Sequence, residues 1–169
     1  ELRHPRAADA GPSPAREARQ RPALSVVIPC YNEADALGEL HLRVAKICRE
    51  TVGESYELVF VDDGSSDGTW GGIASLVSSD RHVVGLRLSR NHGQQLALSA
   101  GLEECRGELA LIIDADMQDP PELLPEMMKL IEAGADDVLG LRISRGEEPW
   151  FRRAGAKLFY MLMGYLSDH

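Results

Sequence analysis

The chain has 169 residues, which is enough for one domain with a hydrophobic core. Hydrophobic residues make up 44% and charged residues 27%, as in globular proteins. The net charge of −9 argues against a general nucleic-acid-binding protein. No apolar run approaches the ~20 residues of a membrane-spanning helix. The three cysteines lack metal-ligand spacing, which favours reduced, inert thiols in a cytosolic setting.

The first 22 residues differ in composition from the rest. They contain four of the nine prolines, five arginines against three acids, and almost no large apolar residue. This composition predicts a disordered N-terminal arm over residues 1–22. Its basic charge suits either contact with an anionic membrane surface or a simple linker.

From residue 23 onward, short apolar strands alternate with longer helices. The first strand is expected to stop at Pro29, which cannot donate to a ladder. The predicted strands are 24–28, 56–61, 83–88, 109–113 and 137–141, and the predicted helices are 34–49, 69–78, 94–105 and 120–132. Strands that alternate with helices of ten or more residues predict an α/β fold with a mostly parallel, doubly wound sheet.

One segment, LALIIDADMQDPPE at 109–122, joins a buried strand to a helix through two acids. Asp114 and Asp116 are costly at the end of a buried strand unless a positive charge lies between them. Hard divalent cations with oxygen ligands, Mg²⁺ or Mn²⁺, fit this pattern, and Gln118 offers another oxygen. The alternative is an ordinary turn whose acids only cap the following helix.

Polar residues follow several of the predicted strands, at the edge where such sheets bind ligands. They are Tyr31, Glu33, Asp62, Asp63, Asp114, Asp116 and Arg142. A carboxylate after the second strand can hydrogen-bond a ribose or a base, although Asp63 alone could simply form a turn. Neither a Gly-x-Gly-x-x-Gly motif nor a phosphate-binding Gly-Lys loop is present. A diphosphate would therefore need a metal ion.

Four motifs together resemble those of family 2 glycosyltransferases. They are PCYNE at 29–33, VDDGSSDGT at 61–69, RNHGQQLALSAG at 90–101 and DADMQDPPE at 114–122. More narrowly, they are similar to polyprenyl-phosphate sugar synthases of the dolichol-phosphate mannose synthase and bacterial undecaprenyl-phosphate types. The resemblance covers residues 24–168 and implies a GT-A fold, with a catalytic domain at 23–148. Such proteins continue beyond this point, so the acceptor and membrane part is expected to be absent from this chain.

The resemblance also implies roles for individual residues. The donor nucleotide site would comprise Pro29, Tyr31, Glu33, Val61, Asp62, Asp63, Asp114, Ala115, Asp116 and Arg142. The metal would be held by Asp114, Asp116 and Gln118, and the catalytic residues would be Asp114, Asp116 and Arg142. Arg152, Arg153 and Lys157 would contact the acceptor phosphate. His92 is expected to be a packing or rim residue rather than a ligand.

The activity implied by the resemblance is a metal-dependent, inverting transfer from a UDP- or GDP-sugar to a polyprenyl phosphate, with Mg²⁺ or Mn²⁺ as cofactor. The acceptor phosphate is largely dianionic at neutral pH, so it needs no strong general base. Aromatic and basic residues over 149–169 predict a membrane-interface helix on the cytoplasmic face, or else a helix that packs on a missing core.

Two other functions stay open from the sequence. The first is a nucleotide-binding fragment without activity, and the second is a polysaccharide synthase with a hydroxyl acceptor. A receiver domain is disfavoured because its acids would follow the first strand, where PCYNE stands. The sugar, the base and the oligomeric state are not specified by the sequence.

Overall fold

A four-stranded parallel sheet forms the centre of the computed structural model, which describes residues 21–116, 118 and 120–140. The strands are β1 (Leu24–Cys30), β2 (Tyr56–Asp62), β3 (Val83–Arg87) and β4 (Leu109–Ile112). The helices are α1 (Leu37–Val52), α2 (Thr69–Ser79), α3 (Gln94–Glu104) and α4 (Leu124–Glu132), with a 3₁₀ turn at Pro121–Leu123. The strand order is β3-β2-β1-β4, and every pair is parallel, which confirms the predicted α/β fold.

The central strands β1 and β2 are buried along their whole length because helices cover both faces of the sheet. Alternate residues of the two strands supply two separate apolar clusters. Leu24, Val26 and Ile28 belong to the larger cluster, which also contains apolar residues of α1 and α2. Val27 and Val61 face α3 in the smaller one.

The two sheet faces are packed by different kinds of helix surface. On one face, α1 packs an apolar stripe against the sheet, and Leu37, Leu40 and Val44 are at most 2% exposed. On the opposite face, α3 approaches the sheet closely at Gly101, where a Cβ atom would clash with the side chain of Val27. Because α3 lies so close, its first residues are held beside the carboxyl ends of the strands.

Pro29 does not end the first strand, contrary to the prediction. β1 continues to Cys30 and pairs with β2 as far as Asp62. The carbonyl of Val27 accepts from Ile113 on the β4 side, and alternate residues of a strand face the same neighbour. The backbone nitrogen of Pro29 therefore also faces the β4 side. Pro29 lies two residues beyond the last residue of β1 that pairs with β4, so no N–H donor is needed at this position.

The predicted fifth strand at 137–141 is wrong over its described part, since residues 137–140 belong to no strand. Leu139 is 85% exposed, whereas a buried parallel strand would cover its apolar side chains. An apolar run becomes a strand only where a neighbour pairs with it, and within 21–116, 118 and 120–140 no ladder includes these residues.

The last helix begins later than predicted. Pro120 has φ −73° and ψ 114°, an extended conformation that the following proline favours. The chain then makes the 3₁₀ turn and enters α4 at Leu124. Gly134, with φ 101°, lies just past the helix, and its N–H donates to the carbonyl of Ile131.

The structure divides into two compact units between Lys129 and Leu130, and the strands all lie in the first. Arg21 and Pro22, which were assigned to the N-terminal arm, bond to the backbone of 106–108. The arm over 1–20, Arg142, the acceptor residues Arg152, Arg153 and Lys157, and the predicted 149–169 helix lie outside the described residues. Within the described part of the chain, no helix combines the length and apolarity needed to cross a membrane.

Candidate active site at the carboxyl edge of the sheet

A cleft of about 300 Å³ opens at the carboxyl ends of β1 and β4. The chain runs outward from β1 to β3 and then returns to place β4 on the other side of β1. The cleft thus lies at the point where the strand order reverses, the usual ligand site of doubly wound sheets. Its described lining residues are Pro29, Cys30, Tyr31, Glu33, Asp63, Asn91, Gly93, Gln94, Ala97, Asp114, Ala115 and Asp116.

The loop after β1 brings Tyr31 and Glu33 to the cleft, as predicted. Between them, Asn32 has a positive φ of 58°, which asparagine tolerates better than most residues. Its side-chain oxygen accepts from the N–H of Ser66 at 3.0 Å, and its own N–H donates to Ser65 Oγ at 3.0 Å. Asn32 therefore fixes this loop to the turn after β2.

Asp63 holds one wall of the cleft together. It is 3% exposed, and its two carboxylate oxygens accept from the backbone N–H groups of His92, at 2.7 Å, and Gly93, at 2.9 Å. These two residues belong to the RNHG loop (residues 90–93), which precedes α3. Gly64, the residue after Asp63, has φ 68°, and a Cβ atom there would clash with the RNHG loop backbone. The turn and the loop are therefore closely packed.

Two of the predicted donor-site residues are not among the described residues that line the cleft. Val61 is fully buried against α3 in the smaller apolar cluster. Asp62 is also fully buried; its Oδ1 accepts from the N–H of Ser65, and its Oδ2 lies 3.4 Å from Arg87 Nε. Both lie at the strand end beside the cleft, and their contact with a nucleotide stays a prediction.

Asp114, Ala115 and Asp116 form the opposite wall, just past β4. Ala115 is 4% exposed and packs into the larger apolar cluster, which anchors the segment between the two acids. Asp116 Oδ1 accepts from the N–H of Gln118 at 3.0 Å, so it closes a local turn. Asp114 Oδ1 accepts from Gln94 Nε2 at 2.7 Å instead. The alternative from the sequence, in which the acids only cap the following helix, therefore does not apply to Asp114.

The cleft is acidic. Glu33, Asp63, Asp114 and Asp116 line it, and none of its described lining residues is basic. Within 21–116, 118 and 120–140, no group of three or more His, Cys, Asp or Glu side chains is arranged to hold a metal ion. Asp114 and Asp116 nevertheless supply hard oxygen donors of the type Mg²⁺ and Mn²⁺ take, and both ions commonly complete their shell with substrate phosphates and water. The residues present therefore fit a cation that is shared with a phosphate ligand.

Cys30 lines the cleft, but its thiol is held in the protonated form. Burial, reinforced by the charges of Glu33 and Asp62, raises the pKa of its thiol to about 12. The thiolate, which is the reactive form, is thus scarcely populated near neutral pH. Cys48 is likewise buried, which agrees with the expectation of inert thiols.

Several residues that line the cleft have no role predicted from the sequence. Asn91, Gly93, Gln94 and Ala97 all come from the RNHG loop and the start of α3. Their motif had been recognised, but the position of α3 over β1 depends on tertiary packing. His92 is exposed and only its backbone bonds to Asp63, and its role as a rim residue stays a prediction.

A parallel sheet of this order, with a cleft at its strand reversal, is typical of ligand-binding, doubly wound α/β proteins. The family model for Glycosyl transferase family 2 matches residues 25–167, and the chain belongs to that family. The family resemblance inferred from the four motifs is thereby confirmed.

Two curated relatives are similar over most of this chain. An undecaprenyl-phosphate 4-deoxy-4-formamido-L-arabinose transferase from Proteus mirabilis is 40% identical over 136 residues, which cover 80% of this chain and 41% of that protein. An uncharacterized glycosyltransferase from Synechocystis sp. is 39% identical over 145 residues, covering 86% of this chain and 45% of that one. The chain thus spans less than half the length of these relatives.

Solved structures agree with a GT-A fold. A mannosyltransferase from Pyrobaculum calidifontis, in complex with GDP-Man and Mn²⁺, has a TM-score of 0.53 at 27% identity, covering 65% of this chain and 32% of its own. A fragment of S. aureus TarS in complex with UDP-GlcNAc has a TM-score of 0.56 at 23% identity, covering 74% and 37%. The second likeness concerns the fold alone.

Proposed function

We propose that the protein transfers a sugar from a nucleotide-diphosphate sugar to a polyprenyl phosphate, with inversion, at the cytoplasmic face of a membrane. The acidic cleft at the strand reversal is the observation that carries this proposal. The acceptor is suggested by the Proteus mirabilis relative, whose name specifies undecaprenyl phosphate. The donor is suggested by the GDP-Man bound to the mannosyltransferase of similar fold.

The nucleoside of the donor would bind between the loop after β1 and the RNHG loop. Tyr31 is 48% exposed at the cleft, so its ring is accessible for packing against a base or a ribose. The carboxylate of Glu33 can accept hydrogen bonds from sugar hydroxyls. Asp63 already accepts two backbone donors, so its main contribution is to hold the wall that faces the nucleoside.

The diphosphate would lie beside Asp114 and Asp116 and would require a cation. Four carboxylates and no basic group among the described lining residues would repel a diphosphate strongly. Mg²⁺ or Mn²⁺, held by the two aspartates with Gln118 nearby, would neutralise that repulsion. When bound, such an ion stabilises the charge that develops on a leaving nucleoside diphosphate. Asp114 and Asp116 act by binding and orienting, and Arg142 is proposed to contact the same phosphates.

The acceptor phosphate would attack the anomeric carbon directly. A phosphate monoester is largely dianionic at neutral pH, so no general base has to remove a proton from it. This accords with a cleft whose carboxylates are engaged in binding. Arg152, Arg153 and Lys157 are proposed to hold that phosphate, and residues 149–169 to contact the membrane surface.

The test is a transfer assay on the full-length protein with UDP- and GDP-sugars, Mn²⁺, and either a polyprenyl phosphate or the matching polyprenol. Glycosylation of the phosphate alone, with the anomeric configuration inverted, supports the proposal. Glycosylation of a hydroxyl acceptor would support a polysaccharide synthase instead. Nucleotide binding without transfer to either acceptor would indicate a binding module. Glu103→Gln, an exposed position outside the cleft, serves as the control variant.

A further inference from the structure

Gln94, which the sequence analysis left without a role, contacts one of the two acids of the cleft. It is the first residue of α3 and lines the cleft together with Asp114. Its side-chain Nε2 donates to Asp114 Oδ1 at 2.7 Å, a short hydrogen bond from a neutral donor to a carboxylate. The opposite amide orientation would place two oxygens against each other, so the amide nitrogen must face the acid.

The position of Gln94 is fixed by the same contacts that build the wall of the cleft. Asp63 accepts from the N–H of Gly93, the residue before it. The carbonyl of Gly93 accepts from the N–H groups of Leu96 and Ala97, and Ala97 is fully buried on the sheet. The start of α3 is therefore bonded to Asp63 and packed on the sheet, and Gln94 reaches Asp114 from that position.

We infer that Gln94 is a positioning residue for Asp114: it holds one carboxylate oxygen and leaves the other for the donor diphosphate and its cation. This inference rests on the proposed function. A carboxylate held by an outer hydrogen bond presents a fixed oxygen to a metal, and loss of such a partner typically weakens metal binding about 10- to 100-fold. The neutral amide does this without adding another negative charge to an acidic cleft.

Two substitutions separate positioning from a merely structural role. Gln94→Met keeps the length of the side chain and removes the donor. Gln94→Glu keeps the shape but removes the donor and sets a second negative charge against Asp114. Gln95 is the next residue, is also exposed, and is not among the described residues lining the cleft, so Gln95→Met and Gln95→Glu are matched controls.

The experiment is calorimetric titration of the full-length variants with GDP and with UDP in the presence of Mn²⁺, with melting temperatures measured in parallel. We expect Gln94→Met to weaken Mn²⁺-dependent nucleotide binding by about tenfold or more at an unchanged melting temperature. For Gln94→Glu, we expect a comparable loss relative to Gln95→Glu, because the donor to Asp114 is replaced by a second negative charge. The Gln95 variants should behave like the wild type.

Several outcomes would overturn the inference. Equal binding by Gln94→Met and Gln95→Met would remove the positioning role while leaving the donor site intact. A loss of binding in Gln94→Met or Gln94→Glu that is matched by a lower melting temperature would assign Gln94 a structural role. If the wild type binds neither nucleotide with Mn²⁺, the proposed function itself fails, and the positioning role fails with it.

Discussion

Replacement of Asp63 by asparagine should destabilise the fold and disturb the cleft together. The carboxylate is almost fully buried and accepts two backbone N–H groups of the RNHG loop, one on each oxygen. Asparagine has nearly the same shape but only one acceptor oxygen. Its NH₂ group would face a backbone N–H, leaving two donors opposed in a buried place.

The magnitude follows from these two bonds. A hydrogen bond to a charged group contributes about 1.5–3 kcal/mol, and an unsatisfied buried donor costs about 1–3 kcal/mol. In Asp63→Asn, one hydrogen bond loses its charged acceptor and the other hydrogen bond is lost altogether. We therefore expect the free energy of unfolding to fall by about 2–4 kcal/mol. That is a large part of the about 5–15 kcal/mol that stabilises a typical domain.

Urea unfolding, with the free energy extrapolated to water, measures this loss. Glu103→Gln removes the same charge at an exposed position and should stay within about 0.5 kcal/mol of the wild type. Mn²⁺-dependent nucleotide binding by Asp63→Asn, measured where the variant is still folded, should also weaken, because the RNHG loop lines the cleft. A free energy of unfolding for Asp63→Asn equal to that of the control would refute this account of the loop.

Two further predictions concern the stability of the same unit. Gly64→Ala should lower the free energy of unfolding by about 1–3 kcal/mol, because a Cβ atom at positive φ would meet the RNHG loop backbone. Gly71→Ala, in open space within α2, should raise it by about 0.5–1 kcal/mol. Equal urea midpoints for the two variants would contradict this contrast. Burial raises the pKa of the Asp80 carboxyl, but hydrogen bonds from the His82 backbone and from the rings of His41 and His82 outweigh it and lower the pKa from 3.8 to about 2. The ionised carboxylate therefore contributes about 2 kcal/mol to the free energy of unfolding. This contribution is fully present above the pKa of the unfolded state and is lost as the pH falls toward 2. Urea unfolding should show that the difference in free energy of unfolding between the wild type and Asp80→Asn becomes smaller from pH 6 to pH 2.5. A difference that stays constant over this range would disprove the coupling between Asp80 ionisation and stability.

The strands could be predicted from sequence because burial on both faces leaves a readable pattern. β1 and β2 are continuous apolar runs, and a residue such as Val26 or Phe60 is buried whichever way it points. The same apolar pattern wrongly predicted the fifth strand. The run at 137–140 has the composition of a strand but no pairing partner among the described residues. Apolar composition predicts which segments can pair, whereas pairing itself is a tertiary property.

The candidate site was predictable where its residues lie at strand ends and not where they depend on distant contacts. Asp114 and Asp116 could be placed at the edge of the sheet because they directly follow β4. The partner of Asp63 could not be anticipated, because the RNHG loop follows it by about thirty residues and meets it only in the fold. The hydrogen bond from Gln94 to Asp114 was missed for the same reason.

The most direct test of the central claim is calorimetric binding of UDP and GDP, with and without Mn²⁺, to the full-length protein and to Asp116→Ala. Glu103→Ala removes an equal charge outside the cleft and is the matched control. We expect that one nucleotide binds only with Mn²⁺, that Asp116→Ala abolishes this binding, and that Glu103→Ala preserves it. Nucleotide binding that is independent of Mn²⁺, or unchanged in Asp116→Ala, would contradict the claim that these aspartates form a metal-dependent donor site.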